Sequence, residues 1–226
     1  MVKEYKYIVL KFDLNNNSLI DFFNSLFNST YVIKNNTLIY SLEDDKAYKE
    51  YNLKNMIELI KIDFNTDIKI FETNIFGSNY IQDFDIVLDI YNHTKTKDFT
   101  NLAILSQILY KDSKCVNELN KIKAIVNKIM RENIEFVNIS NAMFKNNLNV
   151  SRSATDAFMH RNTLINKLDI LNKKIGFNIQ NFQDAFILYL FMNNNWLCNM
   201  HNLFLFNCKF NVDMLEYSLW NTKLHK

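Results

Sequence analysis

Residues 149–164, NVSRSATDAFMHRNTL, have the pattern of two short helices joined by a tight turn. The first helix places Val150 and Ala154 on one face, and Ala154 is small where two helices would cross closely. The second helix runs to about residue 175, and its leucines and isoleucine lie within about 60° of one another at 100° per residue. These apolar residues are Leu164, Leu168, Leu171 and Ile175. Gly176 then suits the left-handed position just past a helix, so the segment predicts a helix-turn-helix.

The opposite face of the second helix suits recognition of double-stranded DNA. An asparagine amide can pair bidentately with adenine in the major groove, while arginine and lysine reach guanine or phosphate. We expect this face to contact base edges through Asn162, Asn166 and Lys173, with Asp169 beside them. Phosphate contacts that fix the register are expected from Arg152, Arg161, Thr163 and Lys167.

The charge of this segment supports the same partner. Residues 140–180 hold six Lys/Arg and two Asp, whereas residues 1–100 carry 11 Lys/Arg and 15 Asp/Glu. A polyanion is therefore favoured by the second half of the chain. His160 stands where the second helix begins, and it either caps that helix within the turn or touches DNA. A helical hairpin with a solvated polar face remains the alternative for the whole segment.

The segment resembles the C-terminal helix-turn-helix of the PucR/CdaR family of transcriptional regulators. The motif HRNTL stands intact at His160–Leu164, and Gly176 and the apolar stretch FQDAFILYL, residues 182–190, occupy the positions that the family uses to close its domain. The resemblance covers about 55 residues. It implies a DNA-binding transcriptional regulator. Because helix-turn-helix proteins generally read two half-sites, we expect a homodimer on double-stranded DNA, and we expect no enzymatic activity.

Two departures from the family pattern bear on stability and DNA binding. The family's Leu-Gly before the turn is replaced by Ala157-Phe158, and phenylalanine is costly where a positive φ is favoured. The family's arginine before the helix leucine is Lys167, which keeps the charge but loses the bidentate fork of arginine. We therefore expect the fold to be retained with altered affinity or sequence preference.

The first 76 residues alternate strand and helix patterns. Residues 5–14, 31–34, 37–42 and 67–76 have strand character, and residues 16–28 and 46–64 have helical spacing. Asn35-Asn36 is a plausible hairpin turn. The order βαββαβ predicts a sheet with two helices on one face. In front of a PucR-type helix-turn-helix, it resembles a degenerate GGDEF-like domain, which implies dimerisation or signal input.

The sequence from residue 80 onward has helical patterns. We expect helices at about 80–92, 99–110, 114–131, 136–146, 150–157, 160–175 and 181–192. The fold class is therefore α+β, a βαββαβ domain followed by an all-α helix-turn-helix domain. The expected boundaries are 1–112 for the GGDEF-like domain, 113–135 for a connecting helix, 136–195 for the DNA-binding domain and 196–226 for an apolar extension that is either extra core or a dimer contact.

Several classes of site are excluded or disfavoured. With only Gly77 and Gly176, the chain has neither the dinucleotide fingerprint nor a P-loop. Cys198, His201 and Cys208 do not have a usual zinc spacing. Asp13 and the acidic run 43–45 could hold Mg²⁺ only if they converged, and a solvated loop is the simpler interpretation. We expect no metal, no cofactor and no catalytic site.

Composition and targeting signals add little about function. The chain has no proline, and its abundance of Asn, Lys and Ile indicates an AT-rich genome rather than an activity. The N-terminal stretch lacks the features of a signal peptide, and the longest apolar stretch is too short to cross a bilayer. We therefore expect a cytoplasmic protein whose effector is unknown. The alternative function is a protein-interaction or effector-sensing module whose helix-turn-helix no longer binds DNA.

Overall fold

A five-stranded sheet with helices on both faces forms the first part of the chain. The computed structural model describes residues 4–43, 52–77 and 81–193. The chain divides into two compact units, Met1–Leu188 and Tyr189–Lys226. Of the second unit, only residues 189–193 at the end of one helix are described, so the expected apolar extension lies outside the described residues.

The elements of the sheet region follow the predicted order. They are β1 (Glu4–Lys11), α1 (Asn17–Phe27), β2 (Tyr31–Lys34), β3 (Thr37–Glu43), α2 (Leu53–Phe64), β4 (Lys69–Gly77), α3 (Ile81–His93), β5 (Phe99–Asn101) and α4 (Leu102–Lys111). A 3-10 turn at Ser113–Cys115 leads into the helical remainder. Its helices are α5 (Val116–Glu132), α6 (Ile134–Lys145), α7 (Val150–Asp156), α8 (Arg161–Ile175) and α9 (Phe182–Met192).

The sheet has the strand order β2-β3-β1-β4-β5, with β1 in the centre. All neighbouring pairs are antiparallel except β4 and β5, which are parallel. Asn35 and Asn36 connect β2 to β3 with φ values of 51° and 57°. Positive φ at both central residues defines the type I′ turn, whose twist matches that of the flanking strands. The predicted hairpin is confirmed.

The helices α1 and α2 cover one face of the sheet. Leu10 of β1 and Leu38 of β3 are fully buried against Phe23 of α1, and Ile57 and Ile60 of α2 complete this core. These helix positions recur at three or four residues, so burial follows directly from the helical period. The predicted packing of two helices on one face is confirmed.

The helix α3 covers the other face through two stacked ring pairs. Tyr7 stacks on Phe84 with ring centroids 4.1 Å apart, and Phe71 stacks on Tyr91 at 4.5 Å. The register between β1 and β4 shifts at Tyr7. There the hydroxyl of Thr73 accepts from the Tyr7 N–H at 2.9 Å and donates to the Tyr7 carbonyl at 3.1 Å. One buried hydroxyl thus satisfies both backbone groups that the bulge displaces.

Two predictions about this region are wrong in detail. Residues 99–101 form strand β5 instead of the first turn of a helix, and Asn101 caps the following helix α4 by accepting from the Ile104 N–H at 2.9 Å. The helical spacing of residues 46–64 predicts an apolar stripe centred on Leu53, Met56, Leu59 and Ile60. In α2, however, Leu59 is 62% exposed, because the buried face is formed by Leu53, Ile57 and Ile60. Residues 46–51 of the predicted helix lie outside the described residues.

Asparagine defines many of the helix ends and turns. Five helices begin at an asparagine whose side chain accepts a backbone N–H, namely Asn16, Asn52, Asn101, Asn133 and Asn149. Asparagine also occupies five of the eight positive-φ positions in the described part of the chain, whereas glycine occupies one. None of the helices in the described ranges combines the length and hydrophobicity that crossing a membrane requires.

Candidate nucleic-acid interface

The helices α7 and α8 form the predicted helix-turn-helix. Four residues, 157–160, separate them. The apolar face of α8 is buried as its spacing predicts, through Leu164, Leu168, Leu171 and Ile175. Gly176 ends this helix in the left-handed conformation, with φ 72°, and its N–H donates to the Asn172 carbonyl at 2.7 Å.

Hydrogen bonds fix α7 against α6. The Asn149 side chain accepts from the Arg152 N–H at 3.0 Å and so caps the start of α7. The Ser153 hydroxyl lies 3.1 Å from the Ala142 carbonyl of α6 and 2.8 Å from the Asn149 carbonyl. Ser153 and Ala154 are buried, whereas Val150, expected on the inner face, is only half-buried. The buried position on the inner face of α7 that the apolar pattern assigned to Val150 is therefore occupied by Ser153, whose side chain is a small hydroxyl.

The turn between the two helices contains a phenylalanine in the left-handed region. Phe158 has a φ of 53°, and its side chain is 98% exposed. The Met159 N–H donates to the Ala154 carbonyl at 3.0 Å, the bond that closes a Schellman turn and requires positive φ at the preceding residue. The expectation of a strained phenylalanine at this turn is confirmed. Its ring gains no burial in return.

Replacing Phe158 by glycine is expected to raise the free energy of unfolding by about 1 kcal/mol, because glycine has no Cβ to oppose positive φ. Phe158→Ala is the matched control, since it removes the exposed ring but keeps the Cβ. Urea denaturation of both variants measures the difference. Equal stability of the glycine and alanine variants would contradict an origin in the backbone.

His160 is the N-cap of α8. Its Nδ1 accepts from the Asn162 N–H at 3.3 Å, so this ring nitrogen carries no proton in that hydrogen bond. The capping alternative is therefore the arrangement in the structure, and a DNA contact of the same exposed ring stays a prediction. The cap matters for function because it sets where α8 begins.

The outer face of α8 is exposed along its whole length. The residues that the sequence predicts for this face, and that the structure places in solvent, are Asn162, Asn166, Asp169 and Lys173. Arg161 and Thr163, which are predicted to contact phosphates, are also exposed. Arg152 is likewise exposed on α7. The four buried residues of α8 occupy the opposite side of the same helix, so these polar groups are held on a rigid element.

Lys167 is engaged within the protein. Its ammonium lies 2.6 Å from a carboxylate oxygen of Glu135 on α6, and its side chain is only 29% exposed. The partners are 32 positions apart in the sequence, and no local pattern links them. A second ion pair joins Lys145 of α6 to Asp156 of α7 at 2.8 Å, and the hydrogen bond from this lysine lowers the pKa of Asp156.

Asp184 connects the loop after α8 to α4. One carboxylate oxygen accepts from the Asn178 N–H at 3.0 Å, and the other accepts from the Gln107 side chain at 2.7 Å. Burial nevertheless raises the pKa of Asp184 above its ordinary value, because desolvation outweighs these two hydrogen bonds. The ionised form therefore opposes folding, and stability falls as pH rises through the pKa of the folded state.

Metal-ligand groupings are absent from the residues that the structure describes. The Asp13 carboxylate instead accepts from the backbone N–H and the side-chain amide of Asn15, at 3.1 and 3.0 Å. Of the other acidic candidates, Glu43 ends β3, and Asp44 and Asp45 lie outside the described ranges, as does the cysteine–histidine group of the C-terminal region.

The comparisons with known proteins agree with the geometry of α6 to α9. These helices define a helix-turn-helix domain closed by a further helix. Residues 140–193 match the family model of the PucR C-terminal helix-turn-helix domain, so the chain contains a helix-turn-helix domain of the PucR type. No curated protein matches the sequence.

A solved structure resembles a longer part of the chain. It is the regulator of polyketide synthase expression from Bifidobacterium adolescentis, which is 10% identical. The match covers 84% of this chain and 79% of that one, with a TM-score of 0.36.

Proposed function

We propose that the chain is a sequence-specific DNA-binding transcriptional regulator that places α8 in the major groove. The exposed face of α8 carries this proposal, since Asn162 and Asn166 stand one helical turn apart, opposite a fully buried apolar face. The PucR-type domain at residues 140–193 supports a role in the regulation of transcription.

The side chains divide into two roles. Asn162, Asn166 and Lys173 contact base edges, because they lie farthest from the buried face of the helix. Arg152, Arg161, Thr163 and His160 surround this face and contact phosphates or sugars. Lys167 contributes a phosphate contact only when its ammonium leaves Glu135. Asp169 lies among the base-contacting residues, where its carboxylate can accept from cytosine N4 and repels phosphate.

The pairing of Lys167 gives a direct test of its role. Glu135→Gln is expected to release the ammonium, to tighten DNA binding and to steepen the dependence of log K on log salt by up to about one unit. Lys167→Ala is expected to flatten that dependence and to weaken binding to all sequences alike. Fluorescence anisotropy over a salt series measures both. An unchanged salt slope in both variants would remove Lys167 from the interface.

The front domain serves dimerisation or signal input in this proposal, as a degenerate GGDEF-like domain at residues 1–112 that is joined through 113–135 to the DNA-binding domain at 136–195. The regulator binds an inverted repeat as a homodimer in the cytoplasm and catalyses no reaction. The hairpin turn at Asn35-Asn36 lacks the acidic signature of a cyclase, which is why this proposal includes no cyclase activity.

Selection of fragments of the source genome by the purified chain tests the proposal. Roughly physiological salt is used, because non-specific binding is already weak there. Enrichment of a few sites that share an inverted repeat is the expected result. Uniform enrichment, or none, from a folded protein would overturn the proposal and favour the protein-interaction or effector-sensing module.

A further inference from the structure

The strand β2 is an apolar edge of the sheet. It pairs with β3 on one side, and none of the described strands pairs with its other side. All four of its side chains are exposed, and Val32 and Ile33 are 64% and 54% exposed. Exposed β-branched residues on an edge strand favour pairing with another chain.

Two of the features that usually prevent such pairing, a proline and a β-bulge, are absent from this edge. The strand contains no proline, and its register with β3 runs without a bulge from Tyr31 to Lys34. Its one charged residue, Lys34, is paired with Asp85 of α3, with the ammonium 2.7 Å from the carboxylate. The three remaining side chains, Tyr31, Val32 and Ile33, therefore form an uncharged edge.

The hairpin turn determines which backbone groups this edge offers. A two-residue type I′ loop makes Lys34 and Thr37 a hydrogen-bonded pair. Because hydrogen-bonded and non-hydrogen-bonded pairs alternate along an antiparallel ladder, Val32 also directs its N–H and C=O toward β3. Tyr31 and Ile33 direct theirs outward. The outer edge thus presents two donors and two acceptors, spaced two residues apart.

We propose that β2 pairs antiparallel with β2 of a second copy of this chain, about a twofold axis that passes through Val32. In this register Tyr31 lies opposite Ile33 of the other copy, and the two residues exchange both backbone hydrogen bonds. The symmetry repeats the exchange, so four hydrogen bonds form. Val32 faces itself in a non-hydrogen-bonded pair, where Cα atoms are about 4.5 Å apart.

The edge fits a second copy because it is complementary to itself. A twofold axis normal to the sheet pairs residues of equal parity, so that opposite side chains lie on the same face. The register centred on Val32 satisfies this condition, uses all four outward backbone groups and places aromatic Tyr31 against β-branched Ile33. A register centred on Ile33 would instead set Tyr31 against Asn35 and Val32 against Lys34.

The surface supplies the twofold symmetry that the proposed function requires but does not depend on that function. Two copies joined through β2 form one continuous sheet and carry two helix-turn-helix domains related by the same axis. Binding to an inverted repeat needs this relation. The association of the chain without DNA therefore tests the surface separately from DNA binding.

Sedimentation of the full chain over a roughly hundredfold range of concentration tests the proposal, because association follows mass action. The parent chain is expected to dimerise. Val32→Lys places like charges opposite each other and is expected to weaken the dimer about tenfold or more. Ile62→Lys is the matched control: Ile62 of α2 is 75% exposed and away from this edge, so its dimer is expected to be unchanged.

Two further variants test the register. Val32→Lys and Val32→Glu are each expected to dimerise more weakly than the parent chain, and their mixture is expected to form a tighter heterodimer, because position 32 faces itself. Ile33→Pro removes an outward N–H without removing a hydrogen bond to β3, and it serves if a charged variant fails to fold. A monomeric parent chain, a Val32→Lys dimer of parent strength or a mixture that associates no more tightly than either variant alone would each overturn the proposal. A monomer that still selects DNA sites would leave the proposed function standing.

Discussion

Leu171→Ala is expected to lower the free energy of unfolding by about 2–5 kcal/mol, the range measured when buried leucines are truncated in well-packed cores. Leu171 is fully buried at the centre of the apolar face of α8, between Leu168 and Ile175. The loss combines the transfer free energy of the removed methyl groups with the cavity that rigid helices leave behind. DNA binding is expected to fall with it, because the same packing positions the outer face of α8.

The neighbouring residue provides the control for this substitution. Ile170 is 48% exposed on the same helix, and Ile170→Ala is expected to change stability by no more than about 0.5 kcal/mol. Urea denaturation with a constant m-value compares the two variants. Similar losses at both positions would contradict the assignment of Leu171 to the core and of Ile170 to the surface.

Loss of sequence discrimination is the second large effect that we expect. Asn162→Ala and Asn166→Ala should each reduce the difference in binding free energy between the selected site and unrelated DNA by about 1–3 kcal/mol, the contribution of a bidentate contact to a base. Non-specific affinity should change little, because phosphates provide most of it. The measurement compares both DNAs at one salt concentration.

Asn172→Ala is the matched control for the asparagine variants. Asn172 is exposed on α8 but is rotated about 100° from the centre of the outer face, since each residue turns the helix by that angle from Lys173. It is expected to leave discrimination intact. If Asn162→Ala and Asn166→Ala weakened binding to all sequences equally, these residues would not contact base edges.

The parts of the fold that depend on local periodicity could be predicted from the sequence. The spacing of Leu164, Leu168, Leu171 and Ile175 determines which face of α8 is buried, whatever it packs against. The Asn35-Asn36 hairpin follows in the same way, because few residues adopt positive φ twice in succession. Gly176 was assigned correctly for the same conformational reason.

The parts that depend on distant partners could not be predicted. Strand β5 has three residues, too few for a period, and it exists because residues 70–72 of β4 pair with it. The pairing of Lys167 with Glu135 depends on how α6 crosses α8. Burial of Ser153 depends on the Ala142 carbonyl of α6. In each case the deciding group is far away along the chain.

The asparagines at helix starts and left-handed positions connect the base composition of the genome to the architecture. Asparagine codons are rich in A and T and glycine codons are rich in G and C, so an AT-rich genome favours asparagine over glycine, the residue best suited to positive φ. Asn28 and Asn65 each end a helix in the left-handed conformation, and at Asn16 and Asn52 the same amino acid begins one. An amino-acid composition that says nothing about activity therefore supplies the residues that begin and end these helices.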